Sequence, residues 1–313
     1  MNDLLRFAAR RLLQGVVTVW FIATATFVAM HAVPGDPLLN NKATTENIRA
    51  NLRAKYGLDK PVLEQYRLYM LNMAQGDFGI SFTQQNRTVN DIIREHFPVS
   101  ATLGVLALLF AGVGGVLFGV LTAINRNRWP DVLLMFLVIL GVSVPSFVFA
   151  SLGQLAIVKL NEATGVSVLP VAGWGTLSHM LLPALVLGLG TMAFLTRLMR
   201  SSMLEVVNAD YIRTARAKGL SPTRVVVHHQ IRNAVLPVIT VLGPSIAAIT
   251  TGGFVVEIVF SIPGLGRYFV QAVQQSDYTV IMGTTVFYGA FLVFMVIVVD
   301  LLYGVLDPRV RVE

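Results

Sequence analysis

The sequence contains no cysteine, which excludes disulfides, thiolate metal sites and a cysteine nucleophile. It is also poor in charge. Asp, Glu, Lys and Arg make up 13% of its 313 residues, about half the roughly 25% of a soluble domain. Hydrophobic types make up 55%, and the mean hydropathy is +0.68. That balance excludes an ordinary cytosolic enzyme and a disordered chain alike. A phosphate-binding loop is missing too. The residues after the five lysines are Ala43, Tyr56, Pro61, Leu160 and Gly219, whereas the loop needs Gly-Lys followed by Ser or Thr. The chain is therefore expected not to bind ATP in that way. None of His31, His96, His179, His228 and His229 forms a His-Glu-x-x-His pair, and no Gly-x-Ser-x-Gly elbow occurs. His228 and His229 are adjacent, and adjacent residues on a helix point about 100° apart, so they read as a solvated basic face before a metal site.

What is present is a series of long apolar stretches. A membrane-crossing helix needs about 20 mostly apolar residues. Runs free of Asp, Glu, Lys and Arg place six predicted spans near 10–33, 99–124, 132–157, 178–196, 234–256 and 279–303. The fourth run begins at Ala163 and is too long for one helix; Pro170, Gly173, Trp174 and Gly175 mark its first half as loop. The first span follows Arg6, Arg10 and Arg11 but has no small-residue cleavage site after it, so it reads as an uncleaved anchor. Placing both termini in the cytoplasm puts 14 basic and 7 acidic residues inside and 10 of each outside. The whole +7 excess then lies on one side, as the positive-inside rule requires. The short loop 126–131, with Arg126 and Arg128, is its best witness. The high isoelectric point therefore reflects bilayer topology, and nucleic acid is not an expected partner. Ionisable residues within the spans are confined to their edges, at His31, His179 and Asp300, which disfavours a proton relay. Ser143, Ser146, Ser151, Gln154, Thr191, Thr250 and Thr251 read as packing residues before pathway ones.

Two loops are long. The predicted extracytoplasmic loop 34–98 has helical-looking stretches at Thr45–Lys55 and Val62–Gln75, and such length implies folding or binding. The predicted cytoplasmic loop 197–232 is strongly basic. Within it Met203, Leu204, Val207, Tyr211 and Ala215 suggest one helical face. Lys218-Gly219 reads as a helix end, and Ser221-Pro222 as the N-cap and first turn of the next helix. A short amphipathic helix of this kind suits either anionic lipid headgroups or a groove on a soluble partner. Periodicity leaves both open.

The segment Asp210-Tyr211-Ile212-Arg213-Thr214-Ala215-Arg216-Ala217-Lys218-Gly219-Leu220, with Arg232-Asn233-Ala234-Val235-Leu236-Pro237 after it, resembles the cytoplasmic loop of ABC-importer permeases of the dipeptide/oligopeptide/nickel family. The generic importer motif is Glu-Ala-Ala, three residues, Gly, then Ile-x-Leu-Pro. Here Arg213 stands in place of the Glu and Pro237 comes later, departures that fit the peptide branch. Further motifs follow in order: Val33-Pro34-Gly35-Asp36-Pro37, Tyr56-Gly57-Leu58-Asp59-Lys60-Pro61, Gly76-Asp77-Phe78-Gly79-Ile80-Ser81, Val255-Val256-Glu257, Pro263-Gly264-Leu265-Gly266 and Asp307-Pro308-Arg309. Phe97-Pro98-Val99-Ser100-Ala101 and Pro145-Ser146-Phe147-Val148 look most like the first permease subunit of oligopeptide importers.

The resemblance implies an all-α membrane protein with the fold of type I importer membrane domains, its core over 97–303, in the bacterial or archaeal cytoplasmic membrane. It implies a second, similar permease subunit, two ATPase subunits that hold ATP and magnesium, an extracytoplasmic binding protein and a peptide cargo, oligopeptides ahead of dipeptides. It implies no cofactor or catalysis in this chain. The short cytoplasmic helix would be the coupling helix, with Glu205, Asp210, Tyr211, Arg213, Thr214, Ala215, Arg216, Lys218 and Gly219 facing or aiming at an ATPase. Arg49, Arg53, Gly76, Asp77 and Phe78 are the candidates for meeting the binding protein. The same machinery could carry nickel chelates or oligosaccharides. A reading from a different class, a stand-alone channel or secondary transporter, predicts intramembrane charges or a filter motif, and the sequence shows neither.

Overall fold

The computed structural model describes residues 2–32, 57–84 and 87–306. In chain order the helices are α1 (Asn2–Ala32), α2 (Val62–Ala74), α3 (Val89–Ile124), α4 (Trp129–Ser143), α5 (Ser146–Thr164), α6 (Leu177–Val206) and α7 (Asp210–Ala217). After these come α8 (Pro222–Arg224), a π-helical stretch (Val225–Ile231), α9 (Arg232–Ala234), α10 (Leu236–Gly252), α11 (Phe254–Val259), α12 (Leu265–Gln275) and α13 (Tyr278–Leu306). The only β pairing among the described residues is an isolated bridge between Ile80 and Thr88. The chain divides into two compact units, Met1–Val99 with Pro263–Glu313, and Ser100–Ile262.

In the first unit α1 packs along α13. Gly15 makes the close approach possible, because a Cβ there would lie 2.9 Å from both Val293 and Ile297. α2 docks on the end of α1 through aromatic and polar contacts. Thr24 and Tyr66 share a 2.8 Å hydrogen bond, Phe27 meets Tyr66 and Tyr69, and His31 Nε2 lies 3.1 Å from Gln65 Oε1. α3 opens with a reciprocal cap. Thr88 Oγ1 accepts from the Asp91 amide and donates to the Asp91 carboxylate. At 36 residues α3 is about 54 Å long, well beyond the ~30 Å hydrocarbon core, so its charged first turns lie beyond the hydrocarbon. The helical stretch expected at Thr45–Lys55 lies outside the described residues.

The connection 76–84 is fastened by one buried acid. Asp277, 1% exposed, precedes α13, and its carboxylate accepts from Ser81 Oγ, from the Phe82 and Thr83 amides, from Thr83 Oγ1 and from the Val280 amide. Asp277→Ala leaves buried donors without an acceptor. The expected result is a loosened loop, seen as faster tryptic cleavage at Arg87 in the purified protein. An unchanged cleavage rate would show that the loop is held by other contacts.

In the second unit α3 crosses α6 at small residues. A Cβ on Gly115 or Gly119 would lie 2.6 Å from Leu195 Cβ or 2.5 Å from Met199 Cβ. Two glycines four apart thus meet two large side chains four apart, the small-xxx-small contact of membrane helices. Leu195, Met199 and Met203 continue into a core with Ala111, Ala234 and Val238.

Among the described residues, four helices are long and apolar enough to cross a membrane: Arg6–Ala32, Val89–Ile124, Leu177–Val206 and Tyr278–Asp300. Two more candidates are bent pairs, at 109° between α4 and α5 and at 43° around Val235. The predicted third span, 132–157, is therefore two helices meeting at Val144-Pro145. Val144 is extended, with φ −90° and ψ 127°, because proline disfavours the helical region for the residue before it and donates no amide hydrogen. The helix of the predicted fourth span, α6, continues to Val206, ten residues past the predicted end at 196, and so carries Arg197 and Arg200 on a rigid rod.

Candidate partner-docking site

α7 is a short, largely polar helix of the second unit, and its placement follows from its two ends. The chain leaves α6 at Val206 and turns through Val207, Asn208 and Ala209, with Ala209 extended (φ −68°, ψ 147°) before Asp210. Asp210 at the first turn and Arg216 at the last suit the helix dipole. The far end is a complete left-handed cap. The Gly219 amide donates to the Arg216 carbonyl (2.9 Å) and the Leu220 amide to the Ala215 carbonyl (3.4 Å), the paired bonds of a Schellman motif. Gly219 has φ +77°, and Leu220 packs on the cluster beneath. Ser221 occupies the N-cap position of α8, but its side chain makes no capping bond.

The buried face of α7 differs from the expected one. A single helix was expected to place Met203, Leu204, Val207, Tyr211 and Ala215 on one stripe. The break at 207–209 interrupts that register. Ile212 (0% exposed) and Ala215 (5%) are buried on Val225 of the π-helical stretch, while Tyr211 is 43% exposed. Tyr211 instead reaches sideways, its hydroxyl accepting from Asn233 Nδ2 at 3.1 Å. Asp210, Arg213, Thr214, Arg216, Lys218 and Gly219 are all exposed, as is Glu205 on the last turn of α6. Arg213 and Asp210 approach at 3.5 Å with side chains 73% and 96% exposed, a pair that contributes little to stability. A helix lying on lipid turns its apolar face outward to the bilayer. Here that face is already covered by the protein itself, and what remains outward is polar and basic.

A partly buried ion pair lies between α4 and α6 in the same unit. Asp131, 4% exposed, accepts from Arg200 Nε and Nη2 at 3.0 and 2.8 Å and from the Asn127 amide at 3.0 Å. The Arg200 guanidinium, first, and the Asn127 amide hold the Asp131 carboxyl below its usual range against the opposing effect of burial.

The residues proposed to meet the binding protein are divided. Arg49 and Arg53 lie outside the described residues. Gly76 and Asp77 are exposed, whereas Phe78 packs on the cluster formed by Val89, Ile92 and Leu265. Of the polar span residues, Gln154 donates to the Val171 and Val259 carbonyls and Thr250 to the Ile246 carbonyl. Glu257, which the sequence offers only as part of the motif Val255-Val256-Glu257 and not as a site residue, is 1% exposed and accepts from Ser100 Oγ at 2.6 Å. Its signal was its position: a charge directly at the end of an apolar run. Among the described residues no three His, Asp or Glu side chains gather as a metal site.

The described residues form a helical protein with several apolar spans and one short polar helix whose apolar face is buried. The chain belongs to the family described as binding-protein-dependent transport system inner membrane components, whose model matches residues 115–312, with its N-terminal companion matching 4–104. It is therefore a multi-pass protein of the cytoplasmic membrane, a non-catalytic part of an ABC importer. It is 44% identical over 308 residues to the dipeptide transport system permease protein DppB of Bacillus subtilis, covering 98% of both chains. It is 42% identical to the oligopeptide transport system permease protein OppB of Haemophilus influenzae, covering 98% of this chain and all of that one. Among solved structures, the inward-facing MetNI methionine ABC transporter shares the fold, with TM-score 0.53 and 17% identity over 70% of this chain and 96% of that one.

Proposed function

We propose that this chain is one of two similar permease subunits forming the transmembrane pathway of an ATP-driven peptide importer. The observation that carries the reading is the full-length likeness to dipeptide and oligopeptide permeases. The outward polar face of α7, on an apolar face already buried, supports docking to a soluble partner. Two ATPase subunits hold the ATP and magnesium, an extracytoplasmic binding protein delivers the peptide, and α7 couples the ATPase cycle to alternating access. Glu205, Asp210, Arg213, Thr214, Arg216 and Lys218 face the ATPase, while Tyr211, Ala215 and Gly219 set the helix in place. Gly76 and Asp77, with Arg49 and Arg53, face the binding protein. Both termini and loop 126–131 lie in the cytoplasm.

The test is uptake of a labelled tripeptide by cells lacking this chain and by cells in which it is restored. Uptake should require the chain, the ATPases and the binding protein together. Uptake that persists without the chain, or that the chain alone supports in vesicles without ATP, would overturn the reading. Orientation is checked separately. A cysteine placed at Asn127 should be labelled only by reagents that reach the cytoplasm, and labelling from outside would reverse the topology.

A further inference from the structure

We propose that the groove between α1 and α13 holds one anionic phospholipid, an acyl chain along the groove and its phosphate at Arg10, Arg11 and Gln14. The groove is a hollow of about 640 Å³ with walls that include Leu13 and Val17 of α1 and Leu292 and Val296 of α13. Leu13 and Val17 are 66% and 53% exposed, so this apolar surface is open to whatever surrounds the unit. Its polar end is closed by Arg11 and Asp300, paired at 3.2 Å. A second hollow of about 210 Å³ adjoins it, sharing Arg11 and Gln14 and completed by Phe7 and Arg10. Positions 7, 10, 11 and 14 lie on one helical face.

Charge decides the headgroup. Arg11 is held from two sides, by Asp300 and by the Phe7 ring 5.4 Å from its guanidinium carbon. Arg10 is exposed and has no acidic partner among the described residues. Arg6, one turn before it, is exposed as well. Among the described side chains, only the Asp300 carboxylate stands against these three arginines, an excess of positive charge where the apolar groove begins. Guanidinium groups bind phosphate through paired hydrogen bonds. Arg10 lies three and seven residues from Leu13 and Val17, or about 5 to 10 Å along the helix, so a phosphate there leaves its acyl chain beside the apolar walls. A choline headgroup would bring a further cation towards Arg6 and Arg10. An anionic glycerol headgroup does not.

The inference rests on the membrane assignment and not on the cargo, so a failed peptide assay would leave it standing. The test uses the whole transporter, purified with its partner subunits in nonionic detergent. It is incubated with equal amounts of phosphatidylglycerol and phosphatidylcholine of identical chains, and retained lipid is measured by mass spectrometry. Phosphatidylglycerol should be retained in preference. Arg10→Gln, at an exposed position, should cut that preference about fivefold, the effect of one arginine near an anionic surface. Val17→Trp, which fills the groove, should lower retention of both lipids. Raising the salt should erode the preference in the unaltered protein. Equal retention of the two lipids, a preference that neither Arg10→Gln nor salt changes, or a folded complex that retains no lipid because a partner helix fills the groove, would each overturn the proposal.

Discussion

Gly219→Val is expected to leave the transporter in the membrane at near-normal amount and to abolish most peptide uptake. The Gly219 backbone has φ +77°, and a Cβ there would meet nothing within 4 Å. The strain is therefore purely conformational. It costs roughly 1–2 kcal/mol for an L-residue, and a β-branched one lies at the upper end. That is too little to unfold a large helical complex. It is enough to break the paired bonds from Gly219 and Leu220 to Arg216 and Ala215 and so to tilt α7 on Val225. In the proposed docking role, a helix tilted in this way would meet its partner in the wrong register. ATPase activity in the assembled complex should then no longer rise when loaded binding protein is added. Gly219→Asn provides the control, because asparagine tolerates the left-handed region, and it should restore most uptake. If uptake and stimulation fall only in proportion to the amount of assembled complex, Gly219 is a helix terminator and nothing more.

Arg200→Ala is expected to lower the amount of folded protein sharply. Asp131, 4% exposed in the intact pair, would keep only the Asn127 amide as a hydrogen-bond partner. Breaking a fully buried pair costs ~3–5 kcal/mol and a surface pair under about 1. The Arg200 side chain is 25% exposed and that of Asp131 is 6% exposed, so a loss of about 2 kcal/mol or more is expected. Arg200→Lys should recover only part of it, because an ammonium cannot reproduce the two parallel bonds. The pH dependence has a definite sign. The Asp131 carboxyl is held below its ordinary value of 3.8. Its contribution is complete above that value and is lost as pH falls through the lower, folded one. Thermal unfolding of detergent-purified protein should therefore separate wild type from Asp131→Asn at pH 7, with the gap narrowing below about pH 4. A gap that is constant with pH would show that the ionised carboxylate contributes nothing.

Much of the chain was legible one residue at a time. Charge-free runs reveal spans because water-to-lipid transfer depends on local composition, and the run of motifs around Asp210–Gly219 identifies the family without a structure. Gly219 was readable as a left-handed cap because only its own dihedral angles are at issue. The bend at Val144-Pro145 was also written locally, but the absence of charge through 132–157 spoke for one rod. Hydropathy is blind to an angle of 109°.

Partner choice was a different matter. Whether Tyr211 or Ile212 faces inward depends on where α6 stops, and a three-residue break at 207–209 shifts the register of everything after it. Asp277 looks like an ordinary helix cap until the loop at 81–83, nearly 200 residues earlier, closes over it. Asp131 and Arg200 are separated by 69 residues, and Ser100 and Glu257 by 157. Composition and local dihedral preference decided which segments are helices and which lie in lipid. Which polar groups meet was decided only by tertiary packing, because a buried charge must find its partner in space and its neighbours in sequence do not name it.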